Sequence, residues 1–162
     1  MYKPKAIFTV GAPRSGKTTW ARLYQQTHER TALLSLDDLR VTLCGSKRAY
    51  HDEVGDDPGH PLRTALNELH DHALSYLLAR CMTVVVHNTH LTRWNIDRSL
   101  CTSYVLRAET EFVVFDRTIE ELRSRNASCP PEDAVPDGVL MRMHDQMQSA
   151  DAWWRSVTHR TA

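Results

Sequence analysis

Short apolar runs alternate with helix-spaced stretches along this chain. Residues 6–10 read Ala-Ile-Phe-Thr-Val, 32–36 Ala-Leu-Leu-Ser-Leu, 82–86 Met-Thr-Val-Val-Val and 111–115 Glu-Phe-Val-Val-Phe. Each run is too short for a helix and too continuously apolar for a strand with one wet face. The pattern therefore predicts strands of a parallel sheet buried on both sides. Helices are predicted over 16–28, over 62–80 with Leu62, Leu66, Leu69, Ala73 and Leu77 on one stripe, and from Thr92, placed as a cap, to 108. Two more are predicted over 118–125 and 137–154. Asp37 is placed to cap a short helix through Leu43. The polar stretch 45–61, with Gly55, Pro58, Gly59 and Pro61, predicts a long loop, and 126–136 interrupts the periodicity again. Alternation of this kind predicts one three-layer α/β/α domain over 1–162, with a parallel sheet of four to five strands and a helical lid at about 117–136.

Composition narrows the class. A chain of 162 residues, 41% hydrophobic, can bury one ordinary core. Its 20 basic and 20 acidic residues cancel, which excludes a basic coat along a nucleic acid and leaves room only for a local patch that reads a few phosphates. Cys44, Cys81, Cys101 and Cys129 lack C-x-x-C spacing and read as reduced thiols. No apolar run has membrane-spanning length, and the N-terminus does not read as a signal peptide, so a cytoplasmic protein without a membrane partner is expected.

The strongest chemical signal follows the first apolar run. Gly11-Ala12-Pro13-Arg14-Ser15-Gly16-Lys17-Thr18 fits G-x-x-x-x-G-K-[ST], the P-loop. The glycines let the backbone N–H groups converge on phosphate oxygens, Lys17 reaches the terminal phosphates, and the Thr18 hydroxyl is the expected Mg²⁺ ligand. The helix that starts there directs its positive end at the anion. Gly11 through Thr19 form the expected nucleotide-binding set for ATP or another NTP.

Ligands in such sheets lie beyond the carboxyl ends of the strands, so the residues after each run outline the rest of the site. These are Asp37-Asp38, then His87-Asn88-Thr89-His90, then Asp116. Asp37 is the candidate general base, with a simple helix cap as the alternative; Asp37 or Asp116 could equally serve as the metal-linked carboxylate of an ATPase. Arg40, three residues beyond Asp37, is positioned to bind a second anion or to pair with Asp37 itself. Arg123 and Arg125 precede the Pro-broken stretch, as phosphate-clamping lid residues would, or face solvent at a helix end. The H-x-x-H spacing of His87 and His90, with no Cys or carboxylate beside it, argues against a metal site.

Taken together, these blocks resemble the kinase domain of the bacteriophage-type polynucleotide kinase family. The matching pieces are Gly11-x-Pro13-x-Ser15-Gly16-Lys17-Thr18-Thr19-Trp20-Ala21-Arg22, Leu36-Asp37-Asp38-Leu39-Arg40, Asn88-Thr89-His90-Leu91, Val114-Phe115-Asp116, Glu121-Leu122 with Arg125-Asn126, and Ala134-Val135-Pro136 with Val139-Leu140. The resemblance implies transfer of the γ-phosphoryl of ATP to the 5′-hydroxyl end of RNA or DNA. It implies Asp37 as general base, Arg40 on the phosphate 3′ of the first nucleoside, Lys17 and Thr18 on the donor phosphates, and Arg125 reaching in from the lid. Thr89 and Val139 would line the acceptor pocket, flanked by Asn88 and His90.

The chain departs from that pattern in three places. Asn88-Thr89-His90 stands where the family has Asp-Thr-Asn, which removes a carboxylate near Lys17. The lid has no further arginine within Ala127-Ser128-Cys129-Pro130, and the D-x-D-G-T motif of a phosphatase domain is absent, so no phosphatase activity is expected. A small-molecule kinase acting on a nucleoside, sugar or antibiotic hydroxyl, or an ATPase without an organic acceptor, would share the donor half.

Overall fold

A computed structural model describes residues 2–131, 133–149, 152–157 and 160–161. Five parallel strands form one sheet: β1 (Lys5–Val10), β2 (Thr31–Leu34), β3 (Thr83–Val86), β4 (Glu109–Val114) and the short β5 (Arg160–Thr161), in the spatial order β2-β3-β1-β4-β5. β1 is central, with Lys5 opposite Thr83 on one side and Glu109 on the other.

The expectation of a doubly buried sheet holds residue by residue. Ala6 and Phe8 of β1 face one side, where they meet Val84, Val86, Phe112 and the helices α4 (Pro61–Ala79) and α5 (Arg93–Val105) through Leu74, Leu78 and Ile96. Ile7 faces the other side with Val85, Val113 and Phe115, against Ala21, Trp20 and Tyr24 of α1 (Lys17–Thr27). Apart from the partly buried Trp20 and Tyr24, each of these apolar side chains contributes about 1.5–3 kcal/mol relative to exposure, with no wet face to accommodate polar residues. The result is the three-layer α/β/α architecture.

Several local expectations shift. The second strand ends at Leu34, two residues early, because Ser35 leaves the sheet to cap α2 (Leu36–Cys44); its hydroxyl accepts from the N–H groups of Asp37 (3.1 Å) and Asp38 (3.2 Å). Asp37 is therefore not the cap, and its carboxylate is free for other contacts. The expected loop 45–61 contains a helix, α3 (Lys47–Val54). Gly45 ends α2 in the left-handed region (φ 78°), Ser46 caps α3 through Ala49 N–H, and Tyr50 and Val54 bury the inner face beside Leu66. α4 begins with Pro61 at its first position and His60 as its cap. Thr92 occupies the cap position of α5 without a side-chain hydrogen bond. α6 (Ile119–Ala127) opens with a complete Thr118–Glu121 capping box. α7 (Asp137–Gln148) is shorter than the expected 137–154 helix; residues 150 and 151 of that span lie outside the described residues, and Trp153–Ser156 form a separate 3-10 turn. All four cysteines are free thiols, and among the described residues no helix is long and apolar enough to cross a membrane.

Candidate active site

The turn between β1 and α1 is fixed mainly by backbone. Gly11 N–H donates to Thr89 O (3.0 Å), tying the turn to the end of β3. A methyl group on Gly11 would come within 2.8 Å of Ser15 Oγ and 3.0 Å of Phe115, and Gly16 has φ +105°. Both glycines are thus required by geometry. The N-terminus of α1 has no side-chain cap, which leaves its first-turn N–H groups directed at the crevice.

Lys17 is 8% exposed, and its ammonium donates to Gly11 O (2.9 Å), Ala12 O (2.6 Å) and Ser15 Oγ (3.3 Å). Burial lowers its pKa to about 7, while the charge of Asp37 pulls the other way. A cation held on neutral carbonyls is poorly compensated, and phosphate oxygens would be its natural counterions. The cradle therefore fits a polyphosphate. Thr18 is exposed in the first turn of α1, and its hydroxyl makes no hydrogen bond among the described residues, so it is available to a metal. Among the described residues no group of three or more His, Cys, Asp or Glu could hold a metal ion. Mg²⁺ needs few protein ligands, since phosphates and water complete its shell.

The lid closes on this loop. Arg14 Nε donates to Asn126 Oδ1 (3.2 Å), and its guanidinium also reaches Asp133 O. Asn126 clasps Val135 in both directions, Nδ2 to O (2.8 Å) and N to Oδ1 (2.9 Å). Beneath these bonds Ala12 packs on Leu122 and Leu140. The two lid arginines separate. Arg125 donates to Arg14 O (3.3 Å) and lies 3.5 Å from where a Cβ on Gly16 would stand, over the P-loop. Arg123 instead makes a two-pronged pair with Asp137 (2.8 and 2.8 Å), facing α7.

Across the crevice, Asp37 lies in the first turn of α2, its side chain 56% exposed, 2.5 Å from Arg40. The Arg40 guanidinium stacks over the Tyr50 ring (5.3 Å), held there by the packing of α3 on α2. Asn88 fixes this end of the helix: its Oδ1 accepts from Leu36 N–H (2.9 Å), and its Nδ2 lies 3.3 Å from His70 Nε2. An amide can accept and donate at once, so Asn88 bridges the tips of β2 and β3 to α4. Thr89 is half-buried and reaches the P-loop through its carbonyl, and Val139 is half-buried on α7.

His90 differs from expectation. It is 1% exposed, bonded through Nδ1 to Thr9 O (2.8 Å) and packed edge-on against Phe8, beneath the crevice rather than on it; burial pushes its pKa down to about 4. His87 is likewise buried, with Nε2 3.4 Å from the Asp38 carboxylate. Asp116 is exposed, and its Oδ1 accepts from Gln148 at the end of α7 (2.6 Å).

One side chain at the site went unmarked in the sequence. Lys47, at the start of α3, stands 3.9 Å from Asp37 and 3.8 Å from Asp133 of the lid, bridging the two across the crevice. The available signal was the Gly45-Ser46 helix stop and start followed by Tyr50 and Val54 at i, i+4 spacing.

Comparisons with known proteins bear on the family and the fold. A family model described as an AAA domain matches residues 7–150. No curated protein matches the chain. Among solved structures, a chain of the Pnkp1/Rnl/Hen1 RNA repair complex superposes with a TM-score of 0.76 at 23% identity, covering 99% of this chain and 48% of that one. A gluconokinase from Sinorhizobium meliloti matches with TM-score 0.62 and 15% identity over 99% of this chain and 83% of its own. Shikimate kinase from Acinetobacter baumannii, solved with shikimate, matches with TM-score 0.57 and 18% identity over 98% and 82%. The chain thus spans about half the length of the RNA repair chain it matches, and its fold is that of the P-loop kinases.

Proposed function

The chain belongs to the AAA domain family, and on that premise we propose that it is a polynucleotide 5′-hydroxyl kinase, moving the γ-phosphoryl of ATP or another NTP onto the 5′-hydroxyl end of RNA or DNA. The observation that carries this reading is the Asp37–Arg40 pair facing the P-loop, close enough for the Asp37 charge to act on Lys17. A carboxylate base with an anion-binding guanidinium beside it suits an acceptor that presents a hydroxyl and, one linkage away, a phosphate. The neutral net charge is compatible, because an end is gripped through few phosphates.

In this reading Asp37 takes the proton of the acceptor hydroxyl as its oxygen attacks. Arg40 leaves Asp37 for the acceptor phosphate, which orients the nucleophile. Lys17 turns from the loop carbonyls to the donor phosphates, and Arg125 adds positive charge from the lid as negative charge shifts toward the leaving group. Gly11–Thr19 cradle the donor, and Thr18 would hold Mg²⁺, which when bound neutralises phosphate charge and orients the phosphates. Thr89 and Val139 border the acceptor, while Asn88 acts through Leu36 by positioning Asp37.

A second reading, a kinase of small hydroxyl compounds, draws support from the gluconokinase and shikimate kinase folds, which cover nearly the whole chain. Radiolabelled ATP offered to 5′-hydroxyl oligonucleotides and to a panel of sugars, nucleosides and small alcohols separates the two. Label transfer to oligonucleotide 5′ ends is expected; transfer to the small alcohols alone overturns the proposal.

A further inference from the structure

The cations on the acceptor side extend well beyond Arg40. Lys47 and His51 lie four residues apart on α3, and one turn further Gly55 ends the helix, its carbonyl accepting from Arg63 Nη2 of α4 (3.0 Å). Lys47, His51 and Arg63 thus succeed one another along one edge of α3, which rises about 6 Å for every four residues. Desolvation first, then the charges of Arg40 and Arg63, lower the pKa of His51, while Asp37 raises it, so these groups share one electrostatic neighbourhood.

The charges of this row are only lightly committed. Lys47 stands beyond hydrogen-bond distance from both of its carboxylates. Arg63 has no carboxylate partner among the described residues, and the Nε atoms of Arg40 and Arg63 are buried without one. Of the nearby acids, Asp57 accepts from Gly59 N–H (2.8 Å), while Asp52 and Glu53 stand as loosely beside Arg48 (3.6 Å) and His60 (4.0 Å) as Lys47 does beside its own carboxylates, and Asp52 also raises the pKa of His51.

We propose that Lys47 and Arg63 continue the Arg40 site as a phosphate track along α3, which takes the second and third phosphates of a polynucleotide acceptor and makes the enzyme prefer chains to single nucleotides. This rests on the polynucleotide reading above and names what that reading leaves open, namely how much of the acceptor is held. The row leads away from Asp37, and its steps match the scale of successive phosphates in an extended single strand.

The test compares kcat/KM for a nucleoside 3′-phosphate and for a 5′-hydroxyl tetranucleotide at several salt concentrations, in the wild-type chain, Lys47→Ala, Arg63→Ala and Arg63→Gln. The last variant keeps most of the side-chain stem should Arg63→Ala unfold. The wild-type chain is expected to favour the tetranucleotide. Each substitution should lower that preference about tenfold, the size of one charge-assisted contact, mainly through KM. The slope of log affinity against log salt should fall by about 0.7 for each contact removed. Equal use of both acceptors by the wild-type chain, or an undiminished preference in the folded variants, overturns the track. Failure of every 5′-hydroxyl acceptor would instead overturn the kinase reading. Fluorescence anisotropy with a labelled tetranucleotide then decides the track separately: salt-sensitive binding weakened by Arg63→Gln sustains it, and binding indifferent to Arg63 overturns it.

Discussion

At the P-loop, contacts run through peptide groups: Gly11 N–H to Thr89 O, Gly16 in the left-handed region, and Lys17 on the carbonyls of Gly11 and Ala12. Across the crevice, at the tip of β2, they run through side chains: Asp37 to Arg40, Lys47 toward Asp37 and Asp133, and Arg40 over Tyr50. The first half is buried and closed on itself, with Lys17 8% exposed; the second is open, with the Asp37 side chain 56% exposed. A backbone cradle suits a donor whose phosphates are the same in every turnover. A side-chain wall can be changed one residue at a time, which is where the proposed function puts the choice of acceptor.

If the halves are separable, substitutions in one should spare the other. Asp37→Ala should lower turnover about 10²–10⁴-fold, the usual contribution of a general base. Nucleotide affinity should stay within about threefold, provided titrations are run at pH 6, below the Lys17 pKa of about 7, where loss of the neighbouring charge deprotonates Lys17 least. An equal collapse of nucleotide binding would show that the two halves act as one. Lys17→Ala is the reverse probe. It should reduce phosphoryl transfer about 10²–10³-fold and weaken nucleotide binding, while tetranucleotide binding measured by anisotropy persists.

The Lys17 pKa sharpens the contrast without mutation. With a pKa near 7 in the protein alone, Lys17 is half neutral at neutral pH. Bound phosphates favour its charged form and raise that pKa, so nucleotide binding takes up a proton. Affinity should therefore be highest at low pH and fall, by up to roughly tenfold per unit, as pH rises above 7. Titration calorimetry in buffers of different ionisation enthalpy reads the uptake directly; its absence at pH 8 would mean that Lys17 is already charged. Stability follows the same sign. The unfolded chain, with lysine near 10.5, binds the proton that the folded chain gives up, so folding stability contributed by this group rises with pH between about 7 and 10.

The same contrast explains what could be read from the chain. The donor cradle is a local arrangement, so Gly11–Thr18 with a strand before and a helix after specifies nearly all of it. The sheet was legible for a related reason: runs such as Val84-Val85-Val86 leave no wet face. On the acceptor side the determinants are distant in sequence. Asn88 reaches back to Leu36 and His70, and Lys47 meets Asp37 and Asp133 only after α3 packs on α2. The α3 helix was hidden because its eight residues carry only Tyr50 and Val54 as large apolar markers. His90 read as a crevice residue because it follows a strand, yet φ +47° turns it under the sheet, where it bonds Thr9.

Within the lid the contrast recurs at small scale. Arg125 leans over the P-loop, and Arg125→Ala should lower transfer about tenfold through loss of positive charge near the donor phosphates. Arg123 has the same charge two residues away, but its Nε and Nη2 donate to Asp137 and its Nη2 also to Met141 Sδ (3.0 Å), at the surface and away from the loop. Exposed pairs of this kind are screened by salt and add little to stability. Arg123→Ala should leave kcat and nucleotide KM within about twofold of the wild-type values. A loss as large as that of Arg125→Ala would mean that Arg123 breaks from Asp137 and swings to the nucleotide during turnover. The Asp137→Ala variant would then be faster than wild type at low nucleotide, because it releases that arginine in advance.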